Sequence, residues 1–154
     1  MSDEEIHSLY NHPKINAMVS LAHGEGFGLP LFEAAYSGLP IVTVGWSGHM
    51  DFLVDEQGVE HFYNVSYDLN HVQEEAVWKD VLIKESMWAY AREGSYKKNL
   101  RQCYEDLNDP KTAKKTLSLC NKYAKELKTR FSEEKMYASF ISAMSDSNQV
   151  DAVS

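Results

Sequence analysis

The sequence predicts an α/β domain: a small parallel sheet of about three strands, flanked by helices and closed by further helices at the C-terminal end. Three observations carry that expectation. Two apolar runs of strand length, residues 15–21 (INAMVSL) and 41–44 (IVTV), enclose a Gly-rich turn and a helix-like stretch. Strand, helix and strand within about thirty residues make a parallel βαβ unit. From residue 96 onward, apolar side chains recur every three or four positions, as they do on helices packed along one face. The chain of 154 residues, 44% hydrophobic, is long enough for one domain with a core of its own.

Each element has a local reason. Ser2 with Glu5 three positions on is a capping-box pattern, and Ile6, Leu9 and Tyr10 follow at helical spacing until Pro13. Residues 15–21 are too short for an independent helix and read as a buried strand. Gly24, Gly26 and Gly28 then lead into Pro30, which suits a first helical turn because its missing N–H would have no partner there. Leu31, Phe32, Ala34 and Ala35 make that helix apolar, and Gly38 ends it. Pro40 opens a fully buried strand over 41–44. Residues 47–49 read as a loop, 50–54 as a short helix, 55–58 as a turn, and 61–67 as a third strand nearer an edge because polar residues interleave.

Residues 70–95 carry little pattern, and Trp78 and Trp88 are expected to anchor them to the core. One helical stripe follows at Tyr96, Leu100, Cys103, Tyr104 and Leu107, and a second at Ala113, Leu117, Cys120, Ala124, Leu127 and Phe131, with Asp109-Pro110 between them. Ser132 caps a last helix with Glu133 and Glu134 in its first turn and Met136, Phe140 and Met144 as its stripe. The domain is expected over residues 1–145, with a polar, frayed tail over 146–154.

Charge and composition narrow the function. The net charge is −8, and residues 1–70 hold a single cation, Lys14, against ten acids. No Lys or Arg lies between residues 15 and 78, so clustered phosphate-backbone contacts, and with them nucleic acid, are not expected there. No apolar run approaches membrane-spanning length, and the acidic start is unlike a signal peptide. A soluble, cytoplasmic protein is expected. Cys103 and Cys120 occupy apolar helical positions without metal-ligand spacing and read as small buried residues. The lysines at 114, 115, 122, 125 and 128 read as a solvated face.

The chemistry lies in residues 20–52. Glycines that allow close backbone approach stand directly before a helix N-terminus, where unpaired N–H groups and the helix dipole favour an anion such as phosphate. Glu25 lies before the turn and Glu33 about one turn into the helix, so both carboxylates can border one pocket. Carboxylates accept hydrogen bonds from hydroxyls, as in recognition of a ribose beside a dinucleotide's phosphates. Phosphate on amides with hydroxyls on two glutamates describes a sugar nucleotide. His23 and His49 are further candidates at the rim; His61 and His71 read as structural.

The run His23-Gly24-Glu25-Gly26-Phe27-Gly28-Leu29-Pro30, then Glu33-Ala34 and Ser37-Gly38-Leu39-Pro40-Ile41-Val42, resembles the signature of retaining glycosyltransferases of family 4 with the GT-B architecture. That resemblance implies two Rossmann-like domains around a cleft, with this chain a partial, C-terminal donor-binding one lacking its first strands. It implies that Glu25, the candidate catalytic residue, touches hydroxyls of the transferred sugar and that Glu33 binds the ribose. The N–H groups of Phe27, Gly28 and Leu29, with Gly26 and His23 alongside, would face the donor sugar and diphosphate.

The family's Gly-rich loop and following acid match Gly48 and Asp51, with His49 in place of a second glycine. Trp88, Arg101, Tyr104 and residues 131–140 more weakly resemble its closing helices. Family members also carry an acceptor domain and a basic pair facing the diphosphate, absent here, so the chain alone is expected to be inactive. No metal or other cofactor is expected, and no nucleophile or general base is identified. The alternative reading is a non-catalytic sugar-nucleotide-binding or assembly module, and an open sheet edge is expected to pair copies into a homo-oligomer.

Overall fold

The computed structural model describes residues 2–79 and 81–147. Helix α1 (Asp3–Tyr10) starts as its sequence requires: Ser2 Oγ accepts from the Glu5 amide at 3.3 Å and Glu5 Oε2 accepts from the Ser2 amide at 2.7 Å. Strands β1 (Met18–Ser20), β2 (Ile41–Val44) and β3 (Tyr63–Val65) form a parallel sheet in the order β1-β2-β3. Met18 pairs with Ile41, and Val42 with Tyr63. Helix α2 (Leu29–Tyr36) crosses from β1 to β2, and α3 (Met50–Leu53) follows β2. This is the predicted mixed α/β arrangement, a partial Rossmann-like domain.

Helix α2 ends in a Schellman motif: the Leu39 amide donates to the Ala34 carbonyl and the Gly38 amide to the Ala35 carbonyl, both at 3.0 Å. Gly38 takes φ +81° and faces Asn121, whose side-chain oxygen would stand 2.6 Å from a Cβ. All four residues of β2 are buried, because β2 has a strand on each side. β1 departs from the expectation. It is only three residues long and part-exposed, since it pairs on one edge alone.

Beyond Val65 the chain leaves the parallel sheet. Strands β4 (Tyr67–His71) and β5 (Met87–Ala91) pair antiparallel, where the sequence predicts no regular structure beyond residue 70. Trp78 in their long connection is 68% exposed and anchors nothing to the core, contrary to expectation. Helix α4 (Glu93–Asn108) then packs on β2 and β3, α5 (Pro110–Arg130) packs on α2 and α4, and α6 (Glu133–Ser147) follows. Asp109 ends α4 and caps α5, accepting from the Lys111 and Thr112 amides. The predicted stripes are only partly inward. Cys103, Ala124 and Leu127 are buried, but Leu100, Tyr104 and Leu117 face solvent. Met136, Phe140 and Met144 are exposed as well, so the predicted stripe of α6 does not close the core. Residues 148–154 of the predicted frayed tail lie outside the described residues.

The core divides across the sheet. Leu31, Ala34, Ile41, Phe52, Leu53, Tyr123 and Leu127 pack on one side, and Val42, Val44, Val65, Ala89 and Cys103 on the other. Met18 of β1 and Phe27 of the Gly-rich turn pack against the first cluster, and Leu21, just past β1, against the second.

Candidate functional site

The turn between β1 and α2 is held from both sides. Phe27 turns its ring inward, with ring centroids 5.3 Å from Phe32 and 5.0 Å from Phe52, so burial of one aromatic side chain, worth about 2 kcal/mol, fixes the turn to the core. Gly28 then takes φ +86° as the N-cap of α2 and supplies no side chain to cap it. The Phe32 amide donates to the Gly28 carbonyl at 2.9 Å, whereas the amides of Leu29 and Leu31 have no partner among the described residues. Leu29 is 62% exposed. An open helix N-terminus of this kind presents donors and about half a positive charge to an anion.

The loop after β2 clasps the turn. Ser47 Oγ donates to the Glu25 carbonyl at 2.7 Å and accepts from the Glu25 amide at 3.1 Å, and the Gly48 amide donates to the same carbonyl at 3.0 Å. Ser47 adopts φ 86° to do so, a conformation that costs a side-chain-bearing residue energy. Gly48 comes so near that a Cβ on it would stand 1.8 Å from the Gly26 carbonyl oxygen.

The predicted residues gather around this turn. A Cβ on Gly28 would lie 3.5 Å from Glu25 Cβ and 3.6 Å from Cγ, so the half-buried Glu25 side chain folds back over Gly28. Glu33 is half-buried on the face of α2 that carries Leu29, four residues earlier. There it meets the Tyr10 hydroxyl at the end of α1. Burial first, then the charge of Glu33 and hydrogen bonding to it, raise the pKa of that hydroxyl. Glu33 thus already faces one hydroxyl, and a carboxylate has about four acceptor positions to offer.

His23 sits on the hairpin. Its ring stacks on Trp88 at 4.9 Å and 11° and tilts against Tyr90 at 4.5 Å, and its Nδ1 donates to the Ala89 carbonyl at 2.9 Å. The Ala89 amide donates in return to the His23 carbonyl at 3.0 Å. Trp88 therefore anchors β5 to the start of the turn, a partner the sequence did not identify. Asp51 is exposed, and what holds its segment is its carbonyl: Arg130 donates to the carbonyls of Asp51 at 2.6 Å and Val54 at 3.2 Å, capping α3. His61 has the structural role expected, paired with Asp55 at 2.9 Å and stacked on Tyr123 at 3.5 Å.

His49, expected at the rim of the site, is instead buried within the clasp. It is 1% exposed, its Nε2 lies 2.7 Å from the Val44 carbonyl, and its Nδ1 has no partner. An unsatisfied buried acceptor costs about 1–3 kcal/mol. A groove of about 1040 Å³ touches the turn only through Phe27 and runs between α3, the end of α5 and the start of α6. A second, of about 430 Å³, opens at the N-terminal ends of β2 and β3, away from the turn. At the turn itself Leu29 is exposed, whereas Gly28 and Leu31 are buried. Among the described residues no group of three or more His, Cys, Asp or Glu could hold a metal ion, and no helix is long and apolar enough to cross a membrane.

A fold in which a parallel βαβ unit carries a Gly-rich turn between its strand and its helix belongs to the Rossmann-like class. Within that class, residues 1–67 match the family model of glycosyl transferases group 1. The match ends at Tyr67, where the chain passes from the parallel sheet into the hairpin. No curated protein matches the chain.

Proposed function

We propose that this chain is the donor-binding part of a retaining glycosyltransferase of the GT-B, family 4 type, and that it takes a nucleoside diphosphate sugar at the turn between β1 and α2. The observation that carries the reading is the open N-terminus of α2: unpaired amides at Leu29 and Leu31 behind an uncapped Gly28, with Glu25 folded over the same glycine. The diphosphate lies on the amides of Phe27, Gly28 and Leu29, beside Gly26 and His23. Glu25 accepts from hydroxyls of the transferred sugar, and Glu33 accepts from the ribose.

Departure of the diphosphate is favoured by preorganised dipoles rather than by a metal. A helix dipole supplies only about half a charge, so the remaining positive charge comes from outside residues 15–78, which hold no Lys or Arg. The chain alone therefore binds its donor weakly and does not turn it over, and acts from the cytoplasm, with an acceptor domain and a second copy of itself as partners.

Isothermal titration with UDP, GDP and ADP and with their glucose and mannose conjugates tests this. One nucleotide series binds, and Glu33→Ala weakens that binding by about tenfold or more, as expected for loss of hydrogen bonds to a charged group. Absence of binding at millimolar ligand, or binding indifferent to Glu33→Ala, overturns the proposal.

A further inference from the structure

The clasp contains one polar atom that none of these roles uses. His49 Nε2 faces the Val44 carbonyl at 2.7 Å, and a carbonyl only accepts, so Nε2 carries a proton. In the neutral ring the lone pair is then on Nδ1, which is buried and without a partner. Nδ1 is bonded to the ring carbon next to Cβ, so it stays near the Cβ end of the ring while Nε2 reaches toward β2. That end abuts the turn, since a Cβ on Gly28 would lie 3.2 Å from His49 Cβ. Gly28, having no side chain, lets His49 approach this close to the N-cap of α2.

We infer that His49 reads the sugar of the bound donor: its Nδ1 accepts a hydrogen bond from a hydroxyl of the transferred glycosyl group. The inference rests on the donor-site reading above and adds a specificity residue to it. The chemistry selects among the parts of such a ligand. With the ring neutral, the lone pair on Nδ1 repels diphosphate oxygens and attracts a hydroxyl proton. The ribose is assigned to Glu33, farther along α2 beside Tyr10. Glu25 and His49 both border Gly28, and the hydroxyls due at that end are those of the sugar. A bare nucleoside diphosphate lacks them, so His49 distinguishes sugar nucleotide from nucleotide.

The test uses the full chain and the same nucleotides with and without their sugars. His49→Gln retains an amide able to reach the Val44 carbonyl but has no acceptor at the Nδ1 position; His49→Asn places its side-chain oxygen near that position. In the wild type the sugar nucleotide binds more tightly than its diphosphate. His49→Gln weakens sugar-nucleotide binding by about 3- to 10-fold, as for one hydrogen bond, leaves diphosphate binding unchanged and melts near the wild-type temperature. His49→Asn retains the preference for the sugar nucleotide.

In the unmodified protein the Nδ1 resonance of His49, followed by ¹⁵N NMR, shifts with sugar nucleotide and stays in place with diphosphate. Equal losses for both ligands in His49→Gln, or an Nδ1 resonance unmoved by saturating sugar nucleotide, overturn the inference and leave a buried water as the partner, with the donor-site reading intact. If no nucleotide of either kind binds, the donor-site reading itself fails and this one falls with it.

Discussion

Gly48 and Gly26 occupy facing loops, yet a methyl group would meet a different fate at each. On Gly48 it would stand 1.8 Å from the Gly26 carbonyl oxygen and 2.9 Å from that of Glu25; on Gly26 it would meet nothing within 4 Å. Gly48→Ala must therefore separate the clasp from the turn, at about 1–3 kcal/mol, while Gly26→Ala changes stability by no more than about 0.5 kcal/mol. Paired urea melts decide the point, and similar costs at the two positions would contradict the packing described. The difference was not legible in the sequence. Pro30 and Gly38 announce the start and end of α2 through their own backbone chemistry, which any reader of the chain can apply. The closeness of Gly48 to Gly26, and the burial of His49, depend on where β2 delivers its loop, and that is a property of the folded sheet.

The connection from α3 to β3 is organised by one carboxylate. Asp55 Oδ1 accepts from the amides of Gln57 at 2.9 Å and Val59 at 2.8 Å, and Oδ2 is 2.9 Å from His61 Nε2. The hydrogen bond from His61 and then that from Val59 hold the Asp55 pKa below its ordinary 3.8. A carboxyl with a depressed folded-state pKa stabilises the fold above the unfolded value and loses that contribution as pH falls through the folded one. Melting temperatures of wild type and Asp55→Asn should thus differ most at neutral pH, with the wild type higher, and converge below pH 3.8. A gap that stays constant through the acid range would remove Asp55 from the account.

Elements differed in legibility for a related reason. The capping box of α1, the β-branched run of β2 and the Pro and Gly bounding α2 are local signals, and they placed those elements well. The hairpin β4–β5 lacks one: Asp68, Asn70 and His71 disfavour strand, and the partners lie across the long connection of residues 72–86. Its pairing is favoured instead by Trp88 and Tyr90 packing on His23, a contact across more than sixty positions that no local pattern reveals.

At the scale of the whole molecule, burial separates two kinds of C-terminal helix that the sequence makes look alike. In α4 and α5 the inward positions include Cys103 and Cys120, whose thiols burial pushes up to about 11. Thiolate is the reactive form, so at pH 8 both cysteines should resist iodoacetamide in the native protein and react promptly in urea. Fast native labelling would show that α4 and α5 do not stay packed.

Helix α6 shows the same apolar periodicity, but residues 133–145 are exposed throughout, Tyr137 and Phe140 at 68% and 62%. Periodicity reports that a face is apolar and is silent on whether anything covers it. Phe131, just before α6, does turn inward, its ring 5.2 Å from Phe32. A chain ending after Ser132 should accordingly keep a cooperative melt, within about 4 °C of the full chain, because little apolar burial is lost. It should also bind less of an apolar-surface dye such as ANS. A collapse of the melting transition on truncation would mean that α6 stabilises the domain after all, and that the core extends past Phe131.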